Sequence, residues 1–195
     1  MFRAFIAIQL SDELKRHISE LQAELKRSIP EMLTISWIRP EAMHLTLRFL
    51  GDIEESQVET ITDILQLGSA PLRPFCLEAR GIGGFPTSAR ARVLWVGLSG
   101  DEDGMSALRN LQTTIEEEVV AMGFLREDRP FTPHLTLARI KDGRASGPIR
   151  RLLMNESEWR VGEFHAGSVS LIKSEPRPTG SVYTSLVEVP FGVQV

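Results

Sequence analysis

The tetrapeptide His-Leu-Thr-Leu is written twice in this chain of 195 residues, at His44 to Leu47 and at His134 to Leu137. Histidine is scarce, with four residues in all, so half of the chain's imidazoles open the same four letters. The copies stand 90 positions apart, at 44 and 134, and their surroundings keep nearly that offset: Arg3 matches Arg92, Ser56 matches Ser146, and Phe75 matches His165. Each half reads strand, helix, histidine strand, helix, strand. A period of 90 is far too long for a solenoid, whose repeats run about 20–50 residues. The repeat therefore points to an α+β fold that is bilobal, with two pseudo-symmetric βαβ-type lobes whose antiparallel sheets line a central cleft. The halves are about 1–90 and 91–195 of a single two-lobed domain, with strand exchange expected at the C-terminus.

Local patterns supply the elements. Phe2 to Leu10 reads as a strand, and Ser11 caps a helix whose first turn carries Asp12 and Glu13. Leu14, Ile18, Leu21 and Leu25 lie at helical spacing, and Pro30 closes that region. Ile35 to Arg39 reads as a short strand and Met43 to Leu50 as a longer one ending at Gly51. Ser56 and Glu59 fit a capping box for a second helix through Val58, Ile61, Ile64 and Leu65. Phe75 to Arg80 is strand-like and runs into a Gly81-Ile82-Gly83-Gly84 turn. In the second half, Arg92 to Leu98 reads as a strand. Met105, Leu108, Leu111, Ile115, Val119 and Met122 form a helical stripe ending at Gly123. Phe131 to Ile140 carries the second motif, and Pro148 opens a short helix through Leu152 and Leu153. Glu163 to Lys173 and Ser181 to Val189 read as closing strands, a hairpin turned at Pro176 to Gly180.

Strand alternation gives each motif two faces. His44 and Thr46 share one, and Leu45, Leu47 and Phe49 take the other, the core side. His134 and Thr136 likewise oppose Leu135 and Leu137. Two lobes related by a pseudo-twofold axis bring both polar faces to one cleft. Two imidazoles, each with an ordinary pKa of about 6.5, can then act as a proton donor and a proton acceptor near neutral pH. In-line displacement at phosphorus needs both roles, one on each side of the phosphoryl group. The threonine hydroxyls can donate hydrogen bonds to non-bridging oxygens. Two His and two Thr are a poor zinc set, and the chain has no His-x-x-x-His and no paired Cys, so neither metal nor cofactor is expected. The remaining polar residues read as structural. His17 is solvated, His165 is peripheral at the start of a strand, Cys76 is a core residue, and Glu116, Glu117 and Glu118 form a solvated helix face.

Composition sets outer limits. The hydrophobic share of 42% and charged share of 25% suit a globular protein with a sizeable core. No apolar run reaches the ~18 residues of a membrane span, and the apolar N-terminus reads as a strand, not a signal peptide. A single cysteine, Cys76, excludes an internal disulfide and a Cys-rich zinc site. Together these point to a cytoplasmic protein, and a monomer is expected. The net charge of −4 argues against wholesale binding of duplex nucleic acid, while a predominance of Arg over Lys permits local phosphate recognition.

The segments His44-Leu45-Thr46-Leu47-Arg48-Phe49-Leu50-Gly51 and Pro133-His134-Leu135-Thr136-Leu137-Ala138-Arg139 resemble the two His-x-Thr-x motifs of the two-histidine (2H) phosphoesterase superfamily. With the Phe-Arg-Ala-Phe-Ile-Ala start and the Arg129 to Pro133 lead-in, the resemblance is closest to the RNA 2′,3′-cyclic phosphodiesterases, formerly called 2′-5′ RNA ligases. It covers essentially the whole chain and implies a bilobal fold with a cleft between two sheets. The implied reaction is metal-independent hydrolysis of a terminal ribose 2′,3′-cyclic phosphate to a 2′-phosphomonoester. The same chemistry reversed would join RNA ends through a 2′-5′ bond. By the resemblance, His44 is the proton donor and His134 the proton acceptor; the near-symmetric motifs do not decide that polarity themselves. Thr46 and Thr136 would hold the phosphoryl oxygens. Arg139 matches a basic position of the motif, although strict alternation places it opposite His134, so that a twist, a bulge or the strand end must re-aim it. Phe49, at the matching position after His44, is a candidate to stack on a nucleobase. The expected partner is RNA with a 2′,3′-cyclic phosphate end, tRNA fragments included. The alternatives are a small nucleotide such as an ADP-ribose cyclic phosphate or a 2′-5′ linked dinucleotide, or an RNA-end-binding module without catalysis.

Overall fold

The computed structural model describes residues 1–29, 34–141, 149–150, 153, 159–177 and 180–192. Among these it places nine strands and three α-helices in two antiparallel sheets. In chain order they are β1 (Phe2–Gln9), α1 (Asp12–Ser28), β2 (Ile35–Trp37), β3 (His44–Ile53), α2 (Gln57–Ser69), β4 (Phe75–Phe85), β5 (Val93–Ser99), α3 (Glu102–Ala121), β6 (His134–Ile140), β7 (Arg160–Ala166), β8 (Ser168–Glu175) and β9 (Val182–Pro190). The first sheet runs β3-β1-β8-β9 and the second β2-β6-β5-β4-β7. The α+β, two-sheet architecture expected from the repeat is the one found.

Neither sheet is built from one half of the chain. The strand β4, which ends the first half, pairs with β5 in the second sheet, and β8, from the second half, pairs with β1 in the first. Each sheet thus contains a histidine strand, a central strand beside it, and a long strand from the other half. The pairing repeats residue by residue. His44 faces Gln9 and Thr46 faces Ala7; His134 faces Gly97 and Thr136 faces Trp95. One continuous apolar core joins residues of both sheets and all three helices. A small second cluster of Phe5, Ala7 and Ile172 is buried on the first sheet.

The helices begin where their caps dictate. The Ser11 hydroxyl accepts from the Leu14 N–H at 3.3 Å, and the Asp101 carboxylate accepts from the Gly104 N–H at 2.8 Å. The capping box expected at Ser56 does not form. Ser56 is already helical in conformation and makes no side-chain cap bond; instead the Gln57 side chain accepts from the Glu54 N–H at 2.8 Å.

Two strand expectations are corrected. The Gly81 to Gly84 segment is not a turn but part of β4, carrying a bulge at Gly81, whose φ is +71°. Gly83 is required by packing, because a Cβ there would stand 2.0 Å from the Trp95 ring. Glu163 to Lys173 is not one strand. The chain leaves the second sheet at Ala166 and enters the first at Ser168, and Gly167 is the crossing point. Strand β9 then follows in hairpin register with β8. Pro30, Ser146, Pro148, Leu152, Pro178 and Thr179 lie outside the described residues. Among the described residues, no helix is long and apolar enough to cross a membrane.

Candidate active site

Strands β3 and β6, one from each sheet, approach each other, and their polar faces meet in a cleft. The cleft holds about 80 Å³ and is lined by His44, Thr46, Phe49, His134, Thr136 and Arg139, with Ile38, Ala42, Met43 and Tyr183. All six residues singled out in the sequence are therefore brought together.

The two imidazoles are held in the same way. His44 Nδ1 lies 3.0 Å from the Ala42 carbonyl oxygen, and His134 Nδ1 lies 2.7 Å from that of Thr132. A carbonyl can only accept, so each Nδ1 carries the proton and donates it. The atom left to exchange protons is Nε2 in both rings. The bond to the carbonyl two residues earlier also fixes each ring's orientation.

Aromatic rings complete the surroundings. Phe5 stacks on His44 at 4.4 Å between centroids, and Tyr183 meets the same imidazole edge-on at 5.2 Å. Phe85 meets His134 edge-on at 4.9 Å, with Trp95 at 6.2 Å. Burial lowers the His44 pKa to about 4, against the smaller opposing effect of the Ala42 carbonyl. Burial also lowers that of His134, against the Thr132 carbonyl, and His134 is the less deeply buried of the two. Both rings are neutral at neutral pH.

The orientation of Arg139 has a specific cause. Along β5 and β6 the register shifts at Leu137: Trp95 faces Thr136, but Leu94 faces Ala138. This one-residue bulge reverses the alternation, so Leu135, Leu137 and Ala138 all lie on the core side while Arg139 emerges exposed beside His134. The same shift occurs at Leu47 in β3, where Ala7 faces Thr46 but Ile6 faces Arg48. Arg48 is turned into the core and Phe49 out to the cleft, 59% exposed. Alternation alone had placed Phe49 in the core with Leu45 and Leu47; the bulge corrects this.

A helix secures each bulge. The Leu137 carbonyl, displaced from the ladder, accepts from the Ile38 N–H at 2.9 Å and from Gln22 Nε2 of α1 at 3.0 Å. Gln22 is 3% exposed and also donates to the Ile38 carbonyl at 2.7 Å. On the other side, Arg48 is 7% exposed and pairs through Nε with Glu116 of α3 at 2.8 Å. Arg48 also donates to the Leu125 carbonyl and lies 3.7 Å from Glu127. The second Glu116 oxygen accepts from the Glu127 N–H at 2.9 Å. Glu116 is thus a buried charge partner and not part of a solvated face. This network ties the His44 strand to the segment that leads into His134.

Sequence reasoning missed Phe5, Tyr183, Phe85 and Trp95. Phe5 and Trp95 sit on β1 and β5, which pair with the histidine strands, whereas Phe85 and Tyr183 come from β4 and β9, farther across the two sheets, so only the tertiary fold brings them to the imidazoles. Cys76, expected in the core, is exposed. Its neighbours Leu77 and Ala79 take the buried face of β4.

Comparison with known proteins agrees with this construction. The family model described as LigT like phosphoesterase matches residues 8–95 and 99–183. The chain is 33% identical over 184 residues to an RNA 2′,3′-cyclic phosphodiesterase of Methanothermobacter thermautotrophicus, covering 94% of this chain and 96% of that protein. It is 35% identical over 168 residues to one of Aeropyrum pernix, covering 86% and 93%. Among solved structures, TT0787 of Thermus thermophilus superposes with a TM-score of 0.76 at 26% identity, covering 97% of this chain and 98% of that one. Escherichia coli LigT complexed with 3′-AMP shares the fold, with a TM-score of 0.72 at 24% identity and coverage of 97% and 98%. With paired His-x-Thr-x strands facing one cleft and a family match on both sides of it, this chain belongs to the LigT-like phosphoesterases of the 2H superfamily.

Proposed function

We propose that this protein hydrolyses the terminal ribose 2′,3′-cyclic phosphate of RNA to a 2′-phosphomonoester. One observation carries the reading: two imidazoles, each fastened through Nδ1 to the carbonyl two residues earlier, share one cleft with Nε2 left for chemistry. Water attacks phosphorus and gives its proton to His134 as the P–O3′ bond breaks, and His44 delivers a proton to the departing 3′ oxygen. His134, the less buried ring, suits activation of a water arriving from solvent.

An anionic phosphodiester places negative charge beside the ring and favours the imidazolium form of His44. A ring whose proton is weakly held in the apolar surroundings of Phe5 and Tyr183 is the stronger acid once charged. Thr46 and Thr136 donate to the non-bridging oxygens, and Arg139 offers a planar guanidinium to the phosphate. Phe49 and Tyr183, exposed at the rim, offer ring faces to the terminal base. The names of the relatives support the same substrate.

A cleft whose polar groups converge on one phosphoryl group, with ring faces at its rim, also supports a second reading in which the substrate is a small cyclic nucleotide. Replacing His44 or His134 by Gln is expected to lower turnover on an RNA cyclic phosphate by about 10²–10⁴-fold. Near-normal turnover in either variant would contradict the mechanism. Activity is expected to survive EDTA, and a loss restored by added metal would do the same. Wild-type protein that binds such ends without turnover is a binding module, not an enzyme.

A further inference from the structure

A second group of donors lies on strands β4 and β7, away from the two-histidine cleft. Cys76 of β4 stands directly opposite His165 of β7, and Glu78 stands opposite Glu163. Residues opposite one another in antiparallel strands project to the same side. The other side is taken by Leu77, Ala79, Phe164 and Ala166, all buried. Cys76, Glu163 and His165 therefore share an exposed face, and one ligand atom from each lies within 4.8 Å of the others. His165 Nε2 is already 3.3 Å from a Glu163 carboxylate oxygen. Glu78 is engaged by Arg160 and, at 3.8 Å, by Arg80, which leaves Glu163 as the carboxylate next to the thiol and imidazole.

We propose that Cys76, Glu163 and His165 form a binding site for one zinc-class divalent cation, with a solvent molecule in the fourth position. The donor set is the kind such cations take: one sulfur, one imidazole nitrogen and one carboxylate oxygen. Metal–ligand lengths of about 2.0–2.3 Å in a tetrahedron put donor atoms about 3.3–3.7 Å apart. The His165–Glu163 separation meets that spacing, and small rotations of exposed side chains bring in the sulfur. The strands hold two of the three ligands in direct register, so little backbone ordering remains to be done on binding. Such a cation takes the thiolate, so binding displaces the thiol proton and strengthens as pH rises.

The site is tested with Co²⁺ and Zn²⁺ on the full-length protein. Wild type, and equally His44→Gln and His134→Gln, should bind one Co²⁺ with a thiolate-to-cobalt charge-transfer band in the near ultraviolet. Cys76→Ser should abolish the band, and His165→Ala or Glu163→Gln should weaken binding by at least about tenfold. Zn²⁺ should slow alkylation of Cys76 in wild type and not in His165→Ala. Absence of the band in wild type overturns the proposal. So does a band that persists unchanged in His165→Ala and Glu163→Gln, or one that is lost in the cleft-histidine variants. Because all three ligands are exposed, their variants should fold, and the alkylation measurement reports on the thiol directly.

Discussion

At His44, burial makes folding sensitive to pH. In the folded protein the imidazole takes up a proton only near pH 4, whereas in the unfolded chain it does so near 6.5. Between those values the unfolded state binds the extra proton, so stability from this residue is intact above about pH 6.5 and falls as pH drops toward 4. The loss amounts to at most roughly 3 kcal/mol. The difference in urea stability between wild type and His44→Gln is expected to change across that window in the variant's favour; a difference independent of pH contradicts the buried neutral ring. Arg139 and Phe49 occupy matched positions but carry different chemistry. Arg139→Ala is expected to raise KM by about tenfold or more and to weaken inhibition by inorganic phosphate, through loss of a charge-assisted contact of about 1.5–3 kcal/mol. Phe49→Ala should weaken RNA binding while leaving phosphate inhibition intact. Equal effects on phosphate inhibition would show that the two do not divide the ligand this way. The histidines and threonines of the site are legible in the sequence because the repeat names them. Phe5, Tyr183, Phe85 and Trp95 are not, because an aromatic on an apolar strand has the same local pattern whether it faces a core or an imidazole.

Two matched bulges decide what the histidine strands present. Without them, alternation would send Arg139 and Phe49 to the core side; with them, both reach the cleft. Sequence alternation locates His44, Thr46, His134 and Thr136 correctly because they precede the irregularity, and it fails at the next outward residue for that reason. The bulge is specified from a distance, by Gln22 on α1 and by Glu116 on α3 through Arg48. Such partners are separated by 115 residues for Gln22 and Leu137, beyond the reach of any local pattern. Arg48→Met should destabilise the fold by about 3–5 kcal/mol, because it strands a buried carboxylate. Adding Glu116→Met should recover most of that loss in a denaturation series, since an apolar pair of similar volume is close to neutral. Two losses that simply add would show that the pair is not coupled. The Ser56 capping box and the Gly81 to Gly84 turn fail similarly. Gln57 meets the first end, and Trp95 demands the glycine at the second.

The two-sheet arrangement places the two cleft imidazoles on different sheets. His44 stands on a strand of the first and His134 on a strand of the second, and each sheet borrows a long strand from the other half of the chain. We propose that the halves are related by internal duplication with reciprocal exchange of these strands, which would make the lobes fold as one unit. The 90-residue spacing made two histidine strands in separate sheets legible, but not the chain's passage from one sheet to the other at Gly167. That crossing shifts the buried alternation by one residue, from Phe164 and Ala166 to Val169 and Leu171, but the apolar residues continue on both sides of Gly167, so Glu163 to Lys173 reads as a single strand. The central claim is that opposed imidazoles open a cyclic phosphate at its 3′ oxygen. Its most direct test is to incubate the protein with an RNA ending in a 2′,3′-cyclic phosphate, beside a mononucleotide 2′,3′-cyclic phosphate, and to identify the product by ³¹P NMR. The account predicts a 2′-phosphomonoester from the RNA, and a 3′-phosphomonoester, or no hydrolysis of the RNA end, would contradict it.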